Sequence, residues 1–199
     1  VTTSPGARRR MSAPDRREQI LDITHGIVTA EGFHAATPNR IAAAAGITRP
    51  VLYQQFGDLA GLFVALIDRE QQRAGRQFAE AVAQHTDPRE TDRFVDAFTA
   101  MLHAVDAHPD TWRLFLFPPE GAPPELYHRL AESQRFVLQF FHTELLRTFP
   151  GLPDPEYTAR MIHAAVRELL QLRLTDPAEA TVERLGSLIR RIRARVIGD

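Results

Sequence analysis

Cysteine is absent from the 199-residue chain, which excludes disulfides, thiolate metal sites and cysteine nucleophiles. Lysine is absent too, so all 24 residues counted as Lys+Arg are arginine; this points to GC-rich coding sequence and says little about mechanism. No apolar run approaches the ~20 residues needed to cross a bilayer. The arginines near the N-terminus are not followed by a hydrophobic stretch, so no secretory signal and no membrane partner are expected, and the expected location is cytoplasmic. Eight histidines are present, but none stands in an HExxH or a paired His/Cys arrangement. GxGxxG, Walker A, GxSxG and clustered carboxylate pairs are missing as well. With no catalytic constellation to assemble, the chain is not expected to be an enzyme, and neither metal nor cofactor is expected.

What is present is the composition of an ordinary globular protein, 44% hydrophobic and 25% charged, with length for one or two domains. The net charge of −1 is unevenly spread. Residues 1–57 hold seven arginines against four acids, giving +3, and residues 58–199 hold seventeen against twenty-one, giving −4. A basic front end on an acidic remainder fits a DNA-binding head on a body that avoids DNA. Within that front end, residues 32–56 read GFHAATPNRIAAAAGITRPVLYQQF. Thr37-Pro38 has the form of a helix start, with threonine as N-cap and proline at N1. An alanine-rich helix over Pro38–Ala45 then stops at Gly46. Thr48 is a second N-cap, and a helix over Arg49–Phe56 follows with Pro50 in its first turn. Ile41, Ala45, Ile47, Leu52 and Phe56 are spaced to form a small core, which leaves Thr48, Arg49, Val51, Tyr53, Gln54 and Gln55 for the outward face. Two short helices across a glycine turn are either a helix-turn-helix, with the second helix in a major groove, or a plain helical hairpin whose polar face is solvated.

Arg17-x-x-Ile20-Leu21, Gly32-Phe33, Thr37, Ile41-Ala42-x-x-Ala45-Gly46-Ile47-Thr48 and Leu52-Tyr53-x-x-Phe56 together resemble the N-terminal domain of the TetR (tetracycline repressor-type) family over roughly residues 16–66. The resemblance departs at Leu59, where the family usually has a lysine near the DNA backbone, and at Ala36-Thr37, where it has paired threonines. It implies an all-α protein: a three-helix helix-turn-helix head and a helical ligand-binding and dimerisation body. The expected organisation is a disordered basic arm over 1–14, in which Arg8 to Arg10 either track phosphates or are solvated, then a DNA-binding domain over 15–57 and the body over 58–199.

The remaining sequence reads as helices throughout, with no internal repeat and no strand alternation. They are expected over about 15–31 (capped by Asp15 with Glu18), 58–84, 89–107, 111–117, 125–148, 155–174 and 178–196, with Asp87-Pro88 as a break. Phe98, Trp112, Phe115 and Phe141 belong to an aromatic set that either lines an apolar cavity, with His103, Gln134 and His163 as polar groups, or packs as plain core. Lone histidines such as His103 and His163 on apolar helices are more often core residues than ligands. The resemblance implies the cavity, since such proteins typically release DNA when a small molecule binds the body. It also implies that the last two helices pair with those of a second subunit as a four-helix bundle, through Met161, Val166, Leu169, Leu185, Ile189 and Ile192. A dimer has a physical reason as well: one short helix reads few base pairs, and two heads on a palindrome supply affinity and specificity together.

The expected function is a ligand-responsive transcriptional regulator, most simply a repressor released from palindromic double-stranded operator DNA by a small apolar molecule. DNA contacts are expected from Thr37, Thr48, Arg49, Val51, Tyr53 and Gln54. The competing reading is a helical small-molecule or protein-binding module that does not regulate transcription through DNA.

Overall fold

The computed structural model describes residues 11–83 and 93–196. Within them the chain is all-α, and no strand occurs among the described residues. The head opens with α1 (Ala13–Glu31). Its cap is Ser12, whose side-chain oxygen accepts from the Asp15 amide at 3.2 Å while its hydroxyl donates to the Asp15 carboxylate at 2.7 Å. This reciprocal pairing displaces the cap from Asp15 and starts the helix earlier than the sequence pattern suggests. Residues 12–14 therefore belong to the head; Arg8 to Arg10 lie outside the described residues.

After a 3-10 turn over Phe33–Ala35 come α2 (Pro38–Ala45) and α3 (Arg49–Phe56), with the expected bounds. Gly46 between them has φ 63° and ψ 36°, a left-handed conformation that costs glycine nothing. Its amide bonds to Ala43 O and the next amide, Ile47, to Ala42 O at 2.9 Å, which closes the end of α2 as a Schellman turn. The long helix α4 (Leu59–Ala83) follows. Asp58 starts it, its carboxylate accepting from the Gly61 amide at 2.7 Å.

The body comprises α5 (Arg93–Ala107), α6 (Pro109–Leu116), α7 (Pro124–Thr148), α8 (Pro155–Thr175) and α9 (Val182–Val196). The Asp87-Pro88 break lies outside the described residues. Two boundaries differ from the sequence reading for local reasons. Pro109 occupies the first turn of α6 rather than merely ending α5, and α9 starts only after Thr181, whose hydroxyl oxygen accepts from the Arg184 amide at 3.2 Å.

Two apolar clusters form the core. One gathers Ile20, Leu21, Val28, Phe33, Ile41, Leu52, Leu62, Leu66 and Ile67 with Leu114 of α6 and Leu126 of α7. The other gathers Ala81, Phe98, Met101, Leu102, Val105, Trp112, Leu116, Leu170, Leu174 and Leu185. Both α4 and the eight-residue α6 contribute to both clusters, because 112 and 116 lie on one side of α6 and 114 on the other. No single helix among the described residues is long and apolar enough to cross a membrane.

Candidate nucleic-acid interface

The second helix of the turn, α3, is anchored from below by Leu52, which is wholly buried; burying a leucine stabilises by ~1.5–3 kcal/mol relative to leaving it exposed. It is held at its C-terminal end by Arg17 of α1. The Arg17 guanidinium donates to Gln55 O at 2.6 Å and sits 4.3 Å from the centroid of the Phe56 ring. A cation at a helix C-terminus meets the negative end of the helix dipole, so this contact fixes the tilt of α3 by charge as well as by packing.

That anchoring leaves Thr48, Arg49 and Gln54 exposed, while Val51 and Tyr53 are half-buried. Thr48 stands at the N-cap position with extended backbone, φ −95° and ψ 157°, but its hydroxyl makes no capping bond. It is thus uncommitted, unlike Thr37, whose oxygen accepts from the Arg40 amide at 3.4 Å. Arg49 lies over Tyr53, with its guanidinium carbon 5.9 Å from the ring centroid and Nη2 donating to the phenolic oxygen at 3.5 Å. Arginine and glutamine match guanine and adenine edges, and hydroxyls and arginine also serve phosphates. Thr37 is set apart at the start of α2; the other five expected DNA contacts share α3 and its cap. Leu59, at the position where the TetR family usually has a lysine, is half-buried against the first core cluster and serves packing.

Arg40 and Glu31 brace the other side of the head. The Arg40 guanidinium grips both Glu31 oxygens, with Nη1 to Oε2 at 2.7 Å. This hydrogen bond holds the Glu31 carboxyl below its usual range and raises Arg40. Both groups are exposed, so the pair orders α2 against α1 more than it stabilises the fold.

In the body the expected residues separate. Phe98 and Trp112 share the second cluster, with Phe78 packed against it. Phe78 in turn meets Phe140 edge-on at 5.4 Å and Phe136 at 6.3 Å, and Phe140 meets Phe141 at 5.8 Å. Phe141 thus belongs to an aromatic series that meets the cluster of Phe98 and Trp112 through Phe78. Phe115 instead packs against the first cluster. His103 and Gln134 are exposed and do not join that series: His103 follows directly on buried Leu102 and points away from it, as helical geometry requires. His163 is half-buried on α8; burial, with a lesser contribution from Arg167, holds its imidazole below the usual value. Among the described residues, no group of histidines and carboxylates could hold a metal ion.

The expected interface residues also divide. Met161 is 64% exposed and Ile192 47%. Val166, Leu169 and Ile189 are half-buried against the chain's own second cluster. Leu185 is only 5% exposed and is covered by this chain's own second cluster. The inward edge of the seam on α9 faces α5 of the same chain.

Sequence reading missed a polar hub. Glu70 of α4 is wholly buried, with Arg69, Arg73, His25 and Thr111 around it. The available signal was its register: 62, 66 and 70 run down the buried side of α4 at helical spacing, and a carboxylate there needs partners.

The geometry has clear counterparts. Residues 20–66 match the family model described as bacterial regulatory proteins, tetR family. The HTH-type transcriptional regulator MT1294 of Mycobacterium tuberculosis is 33% identical over 180 residues, covering 89% of this chain and 83% of that protein. The HTH-type transcriptional activator FasR of Mycolicibacterium smegmatis is 34% identical over 96 residues, and there the match spans only 47% of this chain and 44% of FasR. In structure, a TetR-like transcriptional regulator from Rhodococcus sp. RHA1 superposes with a TM-score of 0.72 at 25% identity, covering 94% of this chain and 100% of that one. The chain belongs to the TetR family of transcriptional regulators. It is a DNA-binding helix-turn-helix regulator and not an enzyme.

Proposed function

We propose that this chain is a dimeric, ligand-responsive repressor that holds a palindromic operator through α3 and releases it when a small apolar molecule occupies the body. The observation that carries the DNA reading is the outward set on α3 and its cap, an uncommitted Thr48 hydroxyl with exposed Arg49 and Gln54 and half-buried Tyr53, on a helix pinned at its far end by Arg17. A second copy is required because eight residues of α3 reach only a few base pairs. Met161 and Ile192, exposed on α8 and α9, support the dimer face. Support for the ligand reading comes from the aromatic series Phe78, Phe136, Phe140 and Phe141, which runs from the second cluster out to Phe136, 65% exposed. Aromatic surface open to solvent at one end is where an apolar molecule would gain most by burial. Release then follows by population shift, the ligand stabilising a body conformation whose heads no longer fit successive major grooves.

Arg49→Ala should weaken binding to the specific operator by about 1–3 kcal/mol, roughly 5- to 150-fold in Kd, while leaving the fold intact. Fluorescence anisotropy with labelled duplex, alongside far-UV circular dichroism, checks this. Unchanged affinity in a folded variant would remove Arg49 from the interface and favour a binding module that does not act through DNA.

A further inference from the structure

Head, connecting helix and body meet at one carboxylate. Glu70 of α4 has no exposed surface. Its Oε2 accepts from the Thr111 hydroxyl of α6 at 2.5 Å. Its Oε1 accepts from Arg69 Nε at 2.9 Å and Arg73 Nη1 at 3.0 Å, and faces His25 Nδ1 of α1 at 3.6 Å. The other ring nitrogen of His25 reaches across to Asp110 O, on α6, at 3.3 Å. Arg69 continues the network to α1 through Glu18 at 3.1 Å and Asp22 at 2.8 Å. Next along α6, the Trp112 indole N–H donates to Gln77 of α4 at 2.8 Å.

We propose that Glu70 is the coupling residue of this protein, the buried carboxylate through which a displacement of α6 in the body is passed to α1 in the head. This rests on the reading of the chain as a regulator whose body controls its head. The physical ground is that a buried carboxylate cannot be left half paired. If α6 draws Thr111 away, Oε2 loses its donor and the carboxylate must turn toward the arginines. Those arginines are the ones that tether Glu18 and Asp22, so the tether to α1 must re-sort at the same moment. Intermediate positions leave Oε2 buried without a donor while Oε1 stays with the arginines, which favours two discrete arrangements over a continuous one. The movement has a path onward, because α1 carries Arg17, which holds the end of α3. Coupling is reciprocal, so DNA held by the head should be felt at α6, and Trp112, the only tryptophan, stands there to report it.

The test uses the full chain and the tightest duplex recovered by selection from random-sequence DNA, with binding followed by anisotropy and Trp112 by its emission. In the wild type, saturating duplex is expected to shift the emission. Thr111→Val should still bind the duplex yet lose more than half of that shift, and Thr111→Ser, which keeps the hydroxyl, should retain it. His25→Phe cuts the α1 arm from the other side and should lose the shift in the same way; it decides the matter if Thr111→Val does not fold. A purely structural hub would lower the melting temperature of both variants and leave the emission shift whole, which would overturn the proposal. So would a wild type that binds duplex with no emission change, and this outcome leaves the DNA-binding reading standing. A wild type that binds no selected duplex overturns that reading and the coupling with it.

Discussion

Glu70→Ala is expected to cost about 3–5 kcal/mol of folding stability, the range seen when one partner of a buried ionic group is removed. The carboxylate is wholly buried, and deleting it leaves buried groups without their acceptor. Thr111, itself 5% exposed, loses its acceptor. Arg69, whose side chain is 10% exposed, keeps Glu18 and Asp22 at its outer end. Its Nη2, which lies 2.8 Å from Glu70 Oε1, is buried without a hydrogen-bond partner and would then lack its neighbouring charge as well. For a protein of this length the melting temperature should fall by roughly 6–20 °C. Thermal unfolding followed by circular dichroism reads the effect. A loss under about 0.5 kcal/mol would mean that the hub is dispensable. Glu70→Leu together with Arg69→Met is a useful companion, since replacing a whole buried pair by apolar groups is often close to neutral.

Gly61→Ala sets two effects of opposite sign against each other. Alanine in a helix interior is favoured over glycine by ~0.8–1 kcal/mol, so propensity alone expects a more stable protein. A Cβ at Gly61, however, would lie 2.2 Å from the Phe56 carbonyl oxygen. That atom is backbone at the end of α3 and cannot rotate away. Relief requires α3 and α4 to part, at an overpacking cost of about 1–3 kcal/mol. The net expectation is destabilisation, accompanied by a loss of operator affinity larger than stability explains, because Tyr53 and Gln54 ride on the displaced helix. Urea unfolding and an anisotropy titration separate the two effects. A variant stabilised by ~1 kcal/mol with full affinity would show that the elbow tolerates a methyl group.

The parts of this structure that could be read in advance are those specified by local chemistry. Thr37, Pro38, Gly46 and Pro50 each act within a few residues, and α2 and α3 have the bounds expected from them. The caps at Ser12 and Thr181 were missed because serine and threonine also occur in loops, and only the hydrogen bonds to Asp15 and Arg184 distinguish them. Which face of a helix meets which neighbour was harder. Apolar residues surround much of α5 and α7, so periodicity did not say that His103 and Gln134 would be exposed. Leu185 lay on a sound apolar seam, but the seam could not say whether α5 or a second subunit would cover it. The register of Glu70 marked it for burial, but its partners and those of His25 could not be read, because they come from three helices brought together only by the tertiary fold. The family resemblance supplied what spacing could not, the expectation that α3 faces DNA.

On the proposed reading, two copies of α3 read an inverted repeat. Selection from random-sequence duplex DNA with the purified chain, followed by the stoichiometry of the tightest complex in analytical ultracentrifugation, addresses it directly. The expected result is enrichment of an inverted repeat with an even number of chains per duplex and half-sites whose centres are about one helical turn apart or a multiple of it. Enrichment of no sequence, or a single chain bound to an asymmetric site, would contradict it.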